Sequence, residues 1–356
     1  MKPSEKKYKR IVIKIGSSLL CTGDKGINSG LVGEITAELA SLLNEKKEVV
    51  LVSSGAIALG MHALKLSQRP KELSLLQSAS ATGQNLLMNV YATSFKERGL
   101  TIAQVLLTWE DFNDRRRYLN AKNTLLTLLK LGVVPIINEN DTVSTDEIKF
   151  GDNDRLSALV ASLISADLLI ILSDVDGLLA KDKKTIVRVV SEINAKIKAL
   201  ACPTDKKTSV GGMITKLEAA KIAVDSGIPC VIANGKKQGT ILANVKDPGK
   251  TGTLFVSKKS YLAAKKRWIA FGSRPKGKII VDEGAKRALL NKKSLLAVGI
   301  VATEGVFENA DIVSIVGKDN FEFARGKVSL ASRQLENIKG ARFAKEVIHS
   351  DNIVIL

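Results

Sequence analysis

The sequence has 356 residues, of which 45% are hydrophobic and 25% charged. This composition excludes a disordered chain and leaves room for two domains. Three widely spaced cysteines and two histidines exclude a disulfide framework, a thiolate zinc site and a multi-histidine metal centre, so chemistry is expected to rest on Lys, Asp, Asn and backbone amides. The formal net charge of +18 invites polyanionic partners, either nucleotide phosphates or nucleic acid.

The basic start, Met1 to Arg10, runs into an apolar segment that Lys14 interrupts, which does not fit a secretory signal peptide. No apolar stretch approaches the ~20 residues that span a bilayer, and a cytoplasmic location is expected. From Arg10 to about Ile232, short β-branched runs alternate with amphipathic stretches. Strands are predicted at Ile11 to Ile15, Val49 to Val52, Ile102 to Leu106, Val133 to Ile137, Leu168 to Leu172 and Cys230 to Ile232. Helical periodicity covers Leu31 to Asn44, Ser74 to Arg98, Tyr118 to Leu131, Asp154 to Ser165 and Met213 to Ser226. This alternation predicts a mainly parallel sheet with helices on both faces, an α/β three-layer sandwich whose ligands gather at the carboxyl ends of the strands.

Those strand ends carry the chemistry. No Walker loop is present, because Gly55 to Gly60 has the spacing but is followed by Met61, and no GxGxxG occurs. Lys14 instead sits inside the apolar first strand, just before Gly16-Ser17-Ser18. A buried lysine is costly unless paired, and facing a phosphate it would neutralise charge on a transferring group; an edge-strand lysine is the plainer alternative. The later strands run into Ser53-Ser54-Gly55-Ala56, Asn138-Glu139-Asn140-Asp141 and Ser173-Asp174, with Gly151-Asp152-Asn153-Asp154 preceding a helix. Asn and Asp are common in turns for local reasons, but two such clusters beside a strand end can converge on one ligand. Gly211-Gly212-Met213-Ile214-Thr215-Lys216 opens a helix whose free N–H groups suit a phosphate. Lys216 in that first turn is either a functional cation or simply an exposed lysine.

Around Asp247-Pro248-Gly249 the alternation stops, and a basic linker follows at 258–272 with Lys258, Lys259, Lys265, Lys266 and Arg267. Beyond it, Lys278 to Val281, Leu295 to Val301, Asp311 to Val316 and Lys327 to Leu330 predict a small β-rich unit with few helices. Residues 257 to 356 hold 19 Lys+Arg against 10 Asp+Glu, so half of the positive excess lies in this tail.

Taken in order across residues 10 to 256, Ile13-Lys14-Ile15-Gly16-Ser17-Ser18, Val52-Ser53-Ser54-Gly55-Ala56, Ile137 to Asp141, Gly151 to Asp154 and Gly211 to Lys216 resemble the amino acid kinase family. Within it they resemble the members that phosphorylate free glutamate. Lys266-Arg267-Trp268-Ile269 and Val281-Asp282-Glu283-Gly284-Ala285 resemble the start of a PUA domain. The resemblance implies a kinase domain binding ATP and glutamate over 1–257, the linker at 258–272 and a PUA-like domain over 273–356. It implies ATP-dependent phosphorylation of the L-glutamate γ-carboxylate to L-glutamyl 5-phosphate, the first step of proline biosynthesis.

By the same resemblance, Lys14 and Lys216 are the catalytic cations on the γ-phosphoryl group, and Asp154 holds both. Ser54, Asn138, Asp141 and Asn153 bind glutamate, with Asp141 on its α-amino group. Lys14, Gly16, Ser17, Ser173, Asp174 and the loop Val210, Gly211, Gly212, Met213, Ile214, Thr215 and Lys216 contact the nucleotide, while Mg²⁺ rides on the ATP phosphates without a protein cage. A homo-oligomer, dimer or tetramer, and feedback inhibition by proline are implied as well. Ser17 and Ser53 stand where many members have threonine, which preserves the hydroxyl. Acetylglutamate kinase and aspartokinase are the nearest alternatives, but a carboxylate available to a free ammonium at Asp141 favours unmodified glutamate. An RNA-binding protein acting through the basic tail is the alternative from another class, set against the few aromatics there for base stacking.

Overall fold

Ile11, Val12, Ile13 and Ile15 make a β-branched apolar run around one lysine, the pattern of a strand buried on both faces. They form β1 (Arg10–Ile15), central in its sheet, in a computed structural model that describes residues 8–21, 26–143, 153–201, 212–257 and 264–356. The sheet continues with β2 (Glu48–Ser53), β3 (Ile102–Leu107), β4 (Val134–Glu139), β5 (Leu168–Ser173), β6 (Val189–Val190), β7 (Cys230–Asn234) and β8 (Thr253–Phe255). Its strand order is β3-β4-β2-β1-β5-β7-β8-β6, parallel throughout except for the β7/β8 pair.

On one face Ile11, Ile13 and Ile15 join Leu51, Ile170 and Leu172 in a single core with Leu39, Leu87, Tyr91 and Phe95. These come from the helices Ser29–Asn44 and Leu73–Lys96. Side chains of a strand alternate faces, so Lys14 turns to the opposite side, where the helix Asp154–Ile164 packs on β1 and β5 and against the helix Met213–Asp225. The result is a three-layer α/β sandwich.

The helices Ala56–Ala63 and Leu73–Lys96 approach unusually closely. A Cβ at Gly60 would lie 1.7 Å from the Ala79 carbonyl oxygen, and one at Gly83 would lie 1.8 Å from that of Ala56. Only glycine fits at either point, and the contact anchors the segment that follows β2.

Compactness divides the chain into two units, Met1–Asp111 with Arg116–Tyr261, and Phe112–Arg115 with Leu262–Leu356. The second holds β9 (Gly277–Val281), β10 (Ile300–Glu304), β11 (Ile312–Val316), β12 (Glu322–Lys327) and β13 (Ile353–Ile355) in the order β10-β9-β11-β12-β13. Its core gathers Ile279, Leu295, Phe307, Ile315 and Phe323. Trp268, Phe307 and Phe323 are buried, so three of the tail's aromatics serve packing and are withdrawn from base stacking.

Several local expectations shift for physical reasons. Part of the expected linker, Ala264 to Gly272, is helical, ending in a π-helix at Trp268–Gly272. Its Trp-Ile-Ala run is buried, and Trp268 Nε1 donates to Phe112 O at 2.8 Å; apolar surface of that size does not stay in water. Lys258 and Lys259 lie outside the described residues. The strand expected at Lys327 to Leu330 lies earlier, as β12, whose Glu322 and Arg325 hide the alternation while pairing with each other at 2.8 Å. The strand expected from Leu295 starts only at Ile300, after a 3₁₀ turn at Ala297–Gly299. Among the described residues no helix is long and apolar enough to cross a membrane.

Candidate active site

Three ionisable side chains meet beneath the carboxyl end of β1. Lys14 Nζ lies 2.5 Å from Asp154 Oδ1, and Lys216 Nζ lies 2.9 Å from Asp154 Oδ2. Lys14 comes from β1, Asp154 opens the helix Asp154–Ile164, and Lys216 is in the first turn of Met213–Asp225. A carboxylate in the first turn of a helix is favoured by the helix dipole, whereas Lys216 stands against that preference in its own helix. Asp154 is 0% exposed, Lys14 2% and Lys216 6%. Charges so deeply buried are tolerated only when paired with good geometry, and here each carboxylate oxygen takes one ammonium. Two ammonium groups share this one carboxylate, and together they suit an anion entering the cleft. Thr215 Oγ1 lies 3.3 Å from Asp154 Oδ2, which adds a polar neighbour to the carboxylate.

Asn153, the residue before Asp154, leads into a second group of polar side chains. Its Nδ2 donates to Ser53 O at 2.5 Å and to Asn138 Oδ1 at 2.6 Å. Asn138 Nδ2 in turn donates to Gln84 Oε1 at 2.7 Å, and the hydroxyls of Ser53 and Tyr91 are 3.0 Å apart. Ser80 Oγ donates to Asp141 Oδ2 at 3.1 Å. Burial pushes the Asp141 carboxyl up to about 6, against the opposing pull of the Ser80 hydrogen bond and the Arg69 charge.

Ser17, Ser54, Arg69, Asn138, Asp141 and Asn153 line one cavity. Ser54 Oγ is buried there without a hydrogen-bond partner among the described residues, an unusual state for a buried hydroxyl and one that a ligand would relieve. Gly55, at φ 105°, takes a left-handed turn that other residues avoid, and the helix Ala56–Ala63 starts immediately after it with no side-chain cap. Gly55, Ala56, Ile57 and Ala58 also line the cavity, so the uncapped N-terminus borders it.

The expected glutamate residues Ser54, Asn138, Asp141 and Asn153 therefore converge, and Lys14, Asp154 and Lys216 form their own cluster. Gly16 N donates to Leu172 O at 3.2 Å and begins a short helix, Ser17–Leu20. Ser173 ends β5, with its Oγ donating to Asp174 Oδ1 at 3.2 Å. Gly212 is the N-cap of the helix that Met213, Ile214 and Thr215 begin, while Val210 and Gly211 lie outside the described residues. Sequence reasoning missed Arg69, Ser80, Gln84 and Tyr91. Ser80 and Gln84 are spaced i, i+4 and are both buried, so polar residues recurring on the core face of a helix were the available signal. Arg69 carries no such mark.

The Amino acid kinase family profile matches residues 9–234, and the PUA domain profile matches residues 277–350. The chain is 46% identical to the glutamate 5-kinase of Thermoanaerobacter sp. (strain X514), over 98% of each chain. It is 44% identical to the glutamate 5-kinase of Geobacter sulfurreducens, again over 98% of each. Among solved structures, N-acetylglutamate synthase from Neisseria gonorrhoeae, crystallised with coenzyme A and L-arginine, superposes with a TM-score of 0.51 at 16% identity, covering 74% of this chain and 66% of that one. At that identity the likeness concerns the fold alone.

Proposed function

The chain belongs to the amino acid kinase family, and from that premise we propose that it transfers the γ-phosphoryl group of ATP to the side-chain carboxylate of L-glutamate, giving L-glutamyl 5-phosphate, the first step of proline biosynthesis. The observation that carries the reading is the meeting of Lys14 and Lys216 on Asp154, beside a cavity lined by Asn153, Asp141 and Ser54.

The γ-carboxylate is already a nucleophile at neutral pH, so no general base is needed. One of its oxygens forms the new O–P bond as the bond from Pγ to the β,γ-bridging oxygen breaks, and ADP leaves with that electron pair. What remains for the protein is positioning and electrostatic stabilisation. Lys14 and Lys216 flank the transferring group, and Asp154 fixes both ammoniums. Asn153 and Ser54 hold the substrate, Asp141 takes its α-ammonium, and Ser173, Asp174 and the segment entering the helix at Met213 contact the nucleotide. Mg²⁺ accompanies the ATP phosphates, as it commonly does in kinases; among the described residues no cluster of His, Cys, Asp and Glu gathers to hold a metal. The proposal extends to a cytoplasmic dimer or tetramer inhibited by proline, as the family resemblance implies. RNA binding by the tail is not favoured, because relatives matching 98% of the chain carry the name of an enzyme.

The direct test is trapping with hydroxylamine. A γ-glutamyl hydroxamate is expected only when ATP, Mg²⁺ and glutamate are all present, and its absence from the complete mixture rejects the reaction.

The Asp141 carboxyl gives a pH prediction. Only its ionised form attracts an ammonium, and burial holds it partly protonated below about pH 6. Apparent affinity for glutamate therefore rises as pH increases through that value. Asp141→Asn is expected to raise KM roughly tenfold or more and to flatten this limb. An unchanged KM and an unchanged pH profile would remove Asp141 from the substrate site.

A further inference from the structure

An amino acid with a side-chain carboxylate presents three charges: the reacting carboxylate, an α-ammonium and an α-carboxylate. In the proposed function, which the present inference deepens, the first meets Lys14 and Lys216 through the phosphoryl group, and the second meets Asp141. The α-carboxylate has no partner in that scheme, and leaving a charge unpaired in a cavity is costly.

We infer that Arg69 binds the α-carboxylate of the amino-acid substrate and, paired with Asp141, restricts the site to substrates that keep a free carboxylate beside a free ammonium. Three observations carry this. Arg69 is the only cation among the described residues lining the cavity, and Asp141 is the only anion. The two are close enough for their charges to act on each other, which suits a zwitterion whose opposite charges are one carbon apart. The uncapped first turn of Ala56–Ala63 borders the same cavity, and its backbone N–H groups add a second source of positive potential for a carboxylate. The reacting end has its own place: Asn153, which lines the cavity, is followed in the chain by Asp154, which holds the two lysines. A guanidinium offers two parallel N–H donors matched to the two oxygens of a carboxylate, which an amide cannot reproduce. Arg69 lies in the loop between the helices Ala56–Ala63 and Leu73–Lys96 and is exposed overall. It can therefore be replaced without opening the core.

The test compares glutamate with its α-amide, in which only the α-carboxylate is changed, on the full-length protein and on Arg69→Met and Arg69→Lys. Arg69→Met is expected to raise KM for glutamate roughly tenfold or more and to shrink the preference in kcat/KM for glutamate over the α-amide by a similar factor. Its kcat and its KM for ATP should stay within about threefold of wild type, as for a lost uniform binding contact. Arg69→Lys should recover part of the preference, since it keeps the charge and loses the fork. An Arg69→Met enzyme that discriminates as wild type does would overturn the inference while leaving the kinase reading intact. A wild-type protein that fails to phosphorylate glutamate would sink both.

Discussion

Lys216→Ala should lower kcat by roughly 10²-fold or more, equivalent to ~3 kcal/mol of transition-state stabilisation. Negative charge on the transferring phosphoryl group spreads toward the bridging oxygen as transfer proceeds, so an ammonium held beside it contributes more to the transition state than to the ground state. Lys216 is only 6% exposed, and in so dry a site its field is poorly screened. The loss should therefore fall on kcat, with KM for glutamate moving far less, because Ser54, Asp141 and Asn153 are untouched. Folding should tolerate the change, since Asp154 keeps Lys14 at 2.5 Å. Steady-state kinetics at saturating ATP read the outcome directly, and turnover within about threefold of wild type would dismiss Lys216 from the chemistry.

Asp154→Ala should be more damaging, and in two separable ways. It leaves two ammonium groups buried without the carboxylate that compensates them. Removing one partner from a buried ion pair typically costs about 3–5 kcal/mol, which at ~2–4 °C per kcal/mol is a fall of roughly 10 °C in Tm. Activity should disappear with it, because the proposed function needs Asp154 to hold both lysines at the phosphate. A triple variant separates the two effects. Replacing Lys14 and Lys216 by Met together with Asp154 by Leu removes every charge at once, and an apolar substitute for a buried ionic cluster is often neutral or stabilising. Thermal melts should show most of the lost stability restored in the triple variant while its turnover stays at background. A triple variant as unstable as Asp154→Ala would mean that the cost lies in packing and not in the stranded charges.

The sheet was legible in the sequence because its strands are buried on both faces and so read as unbroken β-branched runs; β1, β2 and β5 each came within a residue or two of their expected ends. The strands β6 and β8, two and three residues long, are too short for any periodicity to register. In β12 the charged pair Glu322 and Arg325 masks the alternation that Phe323 and Ala324 contribute to the core. The cluster of Lys14, Asp154 and Lys216 was visible residue by residue, as a lysine in an apolar run and charges at helix starts. Its assembly depends on tertiary contacts spanning 140 residues between Lys14 and Asp154 and 62 between Asp154 and Lys216, and no local pattern records those. Arg69, Ser80 and Gln84 escaped for a related reason: polar residues in a loop and along a helix look like a solvated face until the partner element is in place.

The glycine crossing at Gly60 and Gly83 limits how this pocket can change. With backbone pressed on backbone, the two helices have no side-chain cushion to repack, so the wall behind Ser54 and Ser80 behaves as one stiff piece. A lineage adapting the pocket to a bulkier amino acid gains no room by sliding that wall. It is left to rework the loop carrying Arg69, where length and residue type are unconstrained by the crossing.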